Sequence, residues 1–158
     1  MSISITLAQT CIHYGNVKAN VEHVREIART MKEGYLLMLT ELWSSSYDLQ
    51  NSAAISRENV NVLSEISEIA RQHRIYIGGS LLLEMDGSLY NSFKLTAPDG
   101  EIIASYQKIH LFKLMNEHEY MQSGTSPVVV DVFGAKVGLA ICYDLRFPEL
   151  FRYYASQG

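Results

Sequence analysis

The stretch "KVGLAICYDLRFPEL", residues 136–150, opens on an apolar run, Val137 to Ile141, that ends on Cys142. A short apolar run of this kind suits a buried strand. Tyr143, Asp144, Arg146 and Phe147 follow at once, and then Pro148, a residue suited to the first position of a helix. The stretch therefore reads as strand, tip and helix, with a thiol at the tip. Taken alone, Cys142 has two readings. It is a small core residue, or it is a nucleophile held at the end of a rigid element.

Working outward, "PVVVDVF" (127–133) and "KVGLAIC" (136–142) read as two strands that turn at Gly134. "EIIASYQK" (101–108) is a strand that closes on Lys108. Asp86-Gly87 and Asp99-Gly100 are hairpin signals flanking "SLYNSFKLTAP" (88–98). In "RIYIGGSLLLE" (74–84), Gly78-Gly79 marks a bulge or a close backbone approach within a strand. "YLLML" (35–39) is apolar throughout and suits a strand buried on both faces. Residues 2–10 alternate, with Ile3, Ile5 and Leu7 on one face of a first strand. Two helices are expected. The first runs over 17–33, with Asn16 as N-cap, Gly34 as stop and a stripe of Val17, Val21, Val24, Ala28 and Met31. The second runs over 57–73, with Ser56 as cap and Leu63, Ile66, Ile69 and Ala70 inward. Residues 42–55 read as a loop, and 109–127 as a long ordered loop with a helical turn. The sum is a mixed α/β layered fold.

The chain has 158 residues, enough for one domain with a sizeable core, and its 47% hydrophobic and 19% charged content is that of a globular protein. A net charge of −4 leaves no basic footprint, so nucleic acid is not an expected partner. Two cysteines, Cys11 and Cys142, are too few for a disulfide framework. The N-terminus lacks the pattern of a signal peptide, and no apolar run is long enough for a bilayer. The expectation is a cytoplasmic protein with reduced thiols, no membrane partner and no Cys11–Cys142 bridge. His110, Glu117, His118 and Glu119 are metal-ligand types, but "HEYMQ" has Gln122 where a zinc-protease helix needs a second histidine. No metal and no cofactor is expected.

Three reactive residues sit where strands emerge: Glu41 after "YLLMLT", Lys108 after "IIASYQ" and Cys142 after "VGLAI". Were these strands neighbours in one sheet, their ends would converge on one cleft. The set suits acyl transfer through a thioester. Lys108, and the dipole of a helix opening near Pro148, would lower the thiol pKa. Glu41 would take the thiol proton, pass it to a leaving amine and later deprotonate water. Lys108 and the backbone N–H of Tyr143 would receive the oxyanion.

These blocks resemble the nitrilase superfamily of carbon–nitrogen hydrolases. "LTELW" (39–43) is similar to the family's glutamate block, "YQKIHLF" (106–112) to its lysine block and "GLAICYDLRFPEL" (138–150) to its cysteine block. "YNS" (90–92) and "DGEIIASYQK" (99–108) resemble the approach to the lysine. The resemblance implies a four-layer α-β-β-α sandwich, here the N-terminal portion and incomplete at the C-terminus, often paired into dimers or larger oligomers. It implies Glu41 as general base, Lys108 as oxyanion-stabilising cation and Cys142 as nucleophile. "NEHEYMQSG" (116–124) resembles the segment holding a second glutamate near the lysine; its spacing to Gly124 selects Glu117 rather than Glu119. "CYDLRFPEL" and "HLFKLMNEHEY" resemble ω-amidases, and Tyr143-Asp144 stands where true nitrilases carry Trp-Glu. The implied substrate is the terminal amide of a short 2-oxo dicarboxylic acid, cleaved by water to the acid and ammonia. Arg146 is a candidate for its carboxylate, or else pairs with Asp144 or Glu149, and Tyr47 is a candidate pocket wall. Alternatives are an amidase of deaminated glutathione, a carbamoyl-amine hydrolase, a glutaminase module, or an inactive truncated chain serving only as an oligomer partner.

Overall fold

The computed structural model describes residues 4–158. Five strands form one sheet: β1 (Ile5–Leu7), β2 (Leu36–Met38), β3 (Tyr76–Met85), β4 (Ser88–Thr96) and β5 (Ile102–Gln107), in the order β1-β2-β3-β4-β5. The first three are parallel and the last two antiparallel additions. The change follows from the connections. Helices α1 (Val17–Ala28) and α2 (Ser52–His73) supply the crossovers that parallel strands need, whereas two tight turns join β3, β4 and β5. Asp86 and Gly87, at φ of 51° and 76°, make the first of these as a two-residue turn between Met85 and Ser88.

β2 shows why the sheet is covered on both sides. Leu37 is fully buried against the helices, among Val21, Val24, Ile66 and Ile69. Leu36 belongs to the opposite face, with Phe93, Leu95, Ala104 and Tyr106. Over that second face lies a two-stranded sheet, β6 (Val129–Val132) and β7 (Ala135–Gly138). Helix α4 (Pro148–Ser156), with Pro148 in its first turn, covers β7 from outside. Its Tyr154 hydroxyl donates to the Leu139 carbonyl. The layers therefore run α, β, β, α, with two strands among the described residues of the second sheet. No helix among the described residues is long and apolar enough to cross a membrane.

Several expectations need correction. Of the first strand's apolar face, Ile3 lies outside the described residues, and Ile5 and Leu7 are exposed. They share a face with Leu36 and Met38, their register partners, but sit on the edge strand where β6–β7 does not reach. α1 keeps Asn16 as N-cap, whose side chain accepts from Ala19 N at 3.1 Å, but ends at Ala28; turns carry Met31 back to the core. α2 starts at Ser52 rather than Arg57, which puts Ser56 inside the helix. The segment reads as polar, yet Ile55, Ser56 and Asn59 are all buried: packing against the sheet overrides a composition typical of loops. Residues 109–127 hold a 3-10 turn at Lys113–Met115 and α3 (Glu117–Tyr120), one short helical turn.

The glycine pair is a close approach, not a bulge. β3 pairs with β4 without interruption through Gly78 and Gly79. A Cβ on Gly79 would stand 2.8 Å from both Leu39 Cβ and Trp43 Cδ1. Because Leu39 and Trp43 flank Glu41, this glycine sets the path of the chain through the glutamate. Gly79→Ala is expected to destabilise the full-length protein by about 1–3 kcal/mol through overpacking. Urea denaturation followed by circular dichroism measures this; an unchanged midpoint would show that the segment yields freely.

Candidate active site

The three strand ends are not neighbours. Glu41 follows β2, Lys108 follows β5 at the far edge of the same sheet, and Cys142 follows β7 in the other sheet. The chain itself makes up the distance. After β2 it crosses over β3: Leu42 N donates to Ser80 Oγ at 3.0 Å and Trp43 N to Ser80 O at 3.1 Å. Leu42 takes a φ of 47° to make that turn, with its side chain fully buried. Glu41 is thereby carried to β4, where Asn91 Nδ2 donates to its Oε1 at 2.8 Å. Lys108 extends the β4–β5 ladder by one rung, its N–H donating to Asn91 O at 2.9 Å.

The centre of the cluster is the Lys108 ammonium, which is fully buried. It donates to Glu41 Oε1 at 2.7 Å and to Glu117 Oε1 at 2.8 Å. Glu117 is also fully buried, and its second oxygen accepts from Phe112 N at 2.7 Å; Glu119 is exposed and takes no part. The loop that carries Glu117 is pinned at Gly124, whose N–H donates to Lys108 O at 2.8 Å. Tyr47 meets the glutamate directly: its hydroxyl donates to Glu41 Oε2 at 2.5 Å. Burial and the Glu41 charge raise the Tyr47 pKa far above its usual value, so it keeps its proton and acts as donor. Burial works against the Lys108 charge, but the two carboxylates outweigh it and its pKa lies above the ordinary lysine value.

Cys142 opens a five-residue 3-10 turn, Cys142–Arg146, and has a φ of 44°. For a residue with a Cβ this left-handed conformation is strained and has to be held in place. The residue is exposed towards a cleft of about 220 Å³ that Glu41, Thr40, Ser80 and Phe93 also line. Its thiol pKa is raised from 9.0 to about 11. Packing around the sulfur is the largest cause, followed by the Glu41 carboxylate; Lys108 pulls the other way and is outweighed. The expected activation by a depressed pKa is therefore not what this geometry provides. It provides a protonated thiol with a carboxylate beside it.

The remaining candidates fall into place around this cluster. The Tyr143 ring packs against Phe112 and Phe147, with centroids at 4.8 and 5.4 Å, which leaves only its backbone to face the cysteine. Arg146 is exposed, and among the described residues it forms no ion pair with Asp144 or Glu149. The Asp144 carboxyl is buried and already taken by Tyr106, His110 and the Ile141 amide. His110 and Glu117 turn to different partners, Asp144 and Lys108, rather than towards a common ion. Cys11 and Cys142 are both free thiols. Asn91 and Asp144 were not singled out from the sequence. For Asn91 the only signal was its place in "YNS" on a strand that ends beside the site.

Comparison with known proteins identifies the family. The sequence profile described as Carbon-nitrogen hydrolase matches residues 4–158. The chain is 33% identical over its whole length to the 2-oxoglutaramate amidase of Bacillus subtilis, of which it spans 62%. It is likewise 33% identical to Omega-amidase NIT2 of Homo sapiens, with 98% of the chain and 58% of that protein aligned. Among solved structures, a cysteine-to-serine variant of the Nesterenkonia AN1 amidase from the nitrilase superfamily superimposes with a TM-score of 0.87. That match has 28% identity and covers 99% of this chain and 62% of the other. The chain thus spans about six tenths of the length of these relatives.

The raised thiol pKa makes a direct prediction. Only the thiolate reacts with iodoacetamide. With a pKa of about 11 rather than 9.0, the thiolate fraction at pH 8 is about one in a thousand rather than about one in ten. Alkylation of Cys142, followed by mass spectrometry, is expected to be slow at pH 8 and still rising at pH 10. Glu41→Gln removes the neighbouring negative charge and is expected to speed it. A plateau below pH 9 in the unmodified protein would contradict this electrostatic picture. The fold, the site geometry and the sequence match lead to one conclusion: the chain belongs to the carbon–nitrogen hydrolase family of the nitrilase superfamily.

Proposed function

We propose that the full-length protein is a thiol-dependent amidase, an ω-amidase that releases ammonia from the terminal amide of a short 2-oxo dicarboxylic acid. The observation that carries this reading is the meeting of Cys142 with a carboxylate, Glu41, that itself holds a buried lysine at 2.7 Å. The relatives named 2-oxoglutaramate amidase and Omega-amidase support the substrate class.

The chemistry follows from the charges. As Cys142 Sγ attacks the amide carbon, its proton passes to Glu41, so no free thiolate has to be formed beforehand. The carbonyl oxygen becomes an oxyanion, received by the Lys108 ammonium and the Tyr143 backbone N–H. Glu41 returns the proton to the amide nitrogen, ammonia leaves, and a thioester remains on Cys142. Water then attacks the thioester carbon while Glu41 takes its proton. The collapsing intermediate breaks the C–S bond and the thiol recovers its proton from Glu41. Glu117 keeps Lys108 charged and fixed throughout. Nothing in this cycle calls for a metal or an organic cofactor. Arg146, exposed one turn beyond the nucleophile, is the candidate for the substrate's carboxylate. Tyr47 orients Glu41 as well as walling the pocket. The reading includes a cytoplasmic enzyme working as a homodimer or larger oligomer.

The test is ammonia release from 2-oxo acid amides, deaminated glutathione and N-carbamoyl amines by the full-length protein. The 2-oxo acid amide is expected to be the best substrate. Cys142→Ala is expected to abolish turnover while far-ultraviolet circular dichroism is preserved. Turnover that survives in that variant would remove Cys142 as the nucleophile, and a preference for an N-carbamoyl amine would reassign the substrate.

A further inference from the structure

Asp144 lies two residues beyond the nucleophile and is fully buried. Three donors point at its carboxyl, and a ring nitrogen of His110 lies beside them. Oδ2 accepts from Ile141 N at 2.9 Å and from the Tyr106 hydroxyl at 2.6 Å. Oδ1 accepts from His110 N at 2.9 Å and lies 2.7 Å from His110 Nδ1. The His110 ring is held flat against Phe147, with centroids 3.6 Å apart, so it is not free to turn away. Burial and Asp144 keep the Tyr106 hydroxyl protonated, as a donor.

The two backbone partners matter most. Ile141 immediately precedes Cys142, and His110 stands two residues after Lys108. Asp144 also returns a bond to Ile141, its own N–H donating to Ile141 O at 3.0 Å. This pair of bonds closes a clasp across Cys142 and Tyr143. Inside the clasp sits the one cysteine whose φ, 44°, has to be held against its preference. We infer that Asp144 is a positioning residue for the amide-cleaving site: one carboxyl oxygen holds the chain before Cys142 and the other holds the chain after Lys108, fixing nucleophile and cation in one register. The inference rests on the amidase reading for its kinetic consequence, but not for its geometry.

A carboxylate is needed because an amide has only one acceptor oxygen. In Asp144→Asn one of the two backbone N–H groups must face an NH₂ group, whichever way the side chain is turned. The tyrosine hydroxyl and the histidine ring can reverse their roles; a backbone N–H cannot. The clasp or the tether to the lysine loop is then lost, with little change in volume.

The experiment compares Asp144→Asn with the unmodified full-length protein in two readouts. In the first, kcat is expressed per Cys142 thiol, on material whose folded fraction is fixed by far-ultraviolet circular dichroism. It is expected to fall by about 100-fold, as for a small misplacement of reacting groups, with KM within about threefold. In the second, which needs no turnover, alkylation of Cys142 at pH 8 is expected to become faster as the thiol leaves its packed place beside Glu41. A kcat per thiol kept within about threefold, or an unchanged alkylation profile, overturns the inference. If the unmodified protein hydrolyses no amide, the amidase reading fails and the alkylation arm alone decides the role of Asp144. Should Asp144→Asn not fold, Tyr106→Phe removes a single donor from Oδ2. It is expected to lower kcat per thiol by about tenfold and to speed alkylation. No change in either readout overturns the inference.

Discussion

An ammonium ion removed from water is among the most costly groups a protein can bury. Lys108 is such a group, and the fold is arranged to make it tolerable. Glu41 arrives from β2 by crossing β3, and Glu117 arrives from a loop pinned at Gly124. Each carboxylate in turn has its second oxygen satisfied, by the Tyr47 hydroxyl and by the Phe112 amide. Without the lysine, two carboxylates, one of them fully buried, would lose their shared cation. Without either carboxylate, a buried cation would lack part of its compensation. The three ionised groups are therefore mutually required, and the backbone between them is shaped accordingly.

The charge count within this cluster also explains the thiol. Two carboxylates and one ammonium leave one net negative charge in a packed site. A second anion on Cys142 is disfavoured there, first by the burial of the sulfur and then by the carboxylates, which together outweigh Lys108. In the proposed reaction the proton would move from sulfur to Glu41, and the new negative charge would appear on the substrate oxygen rather than on the thiol.

The three candidate catalytic residues are legible because each follows an apolar run and lies in a block that resembles the family's: Glu41 after "YLLMLT", Lys108 after "IIASYQ", Cys142 after "VGLAI". Glu117 is marked by the resemblance of "NEHEYMQSG" to the family's second-glutamate segment, with spacing to Gly124 selecting it over Glu119, and that glycine pins the loop against Lys108. What could not be read was lateral order. Nothing local says that β2 and β5 are separated by two strands, or that the left-handed turn at Leu42 spans the gap. Asn91 and Asp144 were likewise hidden. Each is an ordinary polar residue in sequence, and its partners, Glu41 and His110, are 50 and 34 residues away. The start of α2 was misplaced for a related reason, since "NSAAIS" is polar by composition but packed by context.

The two salt bridges to Lys108 also differ in how much chain they close. Glu117 is 9 residues away and Glu41 is 67. By loop-closure entropy the longer contact is the harder to form from an open chain, by about 2 kcal/mol. The β4–β5 hairpin, which carries Lys108, and the loop that carries Glu117 are adjacent in sequence and can associate early. On loop length alone, the Lys108–Glu117 pair closes within a local unit, whereas the Glu41 pair requires β2 to be docked. The short pair thus compensates the cation at the smaller entropic cost, while the long pair ties β2 to the far edge of the sheet.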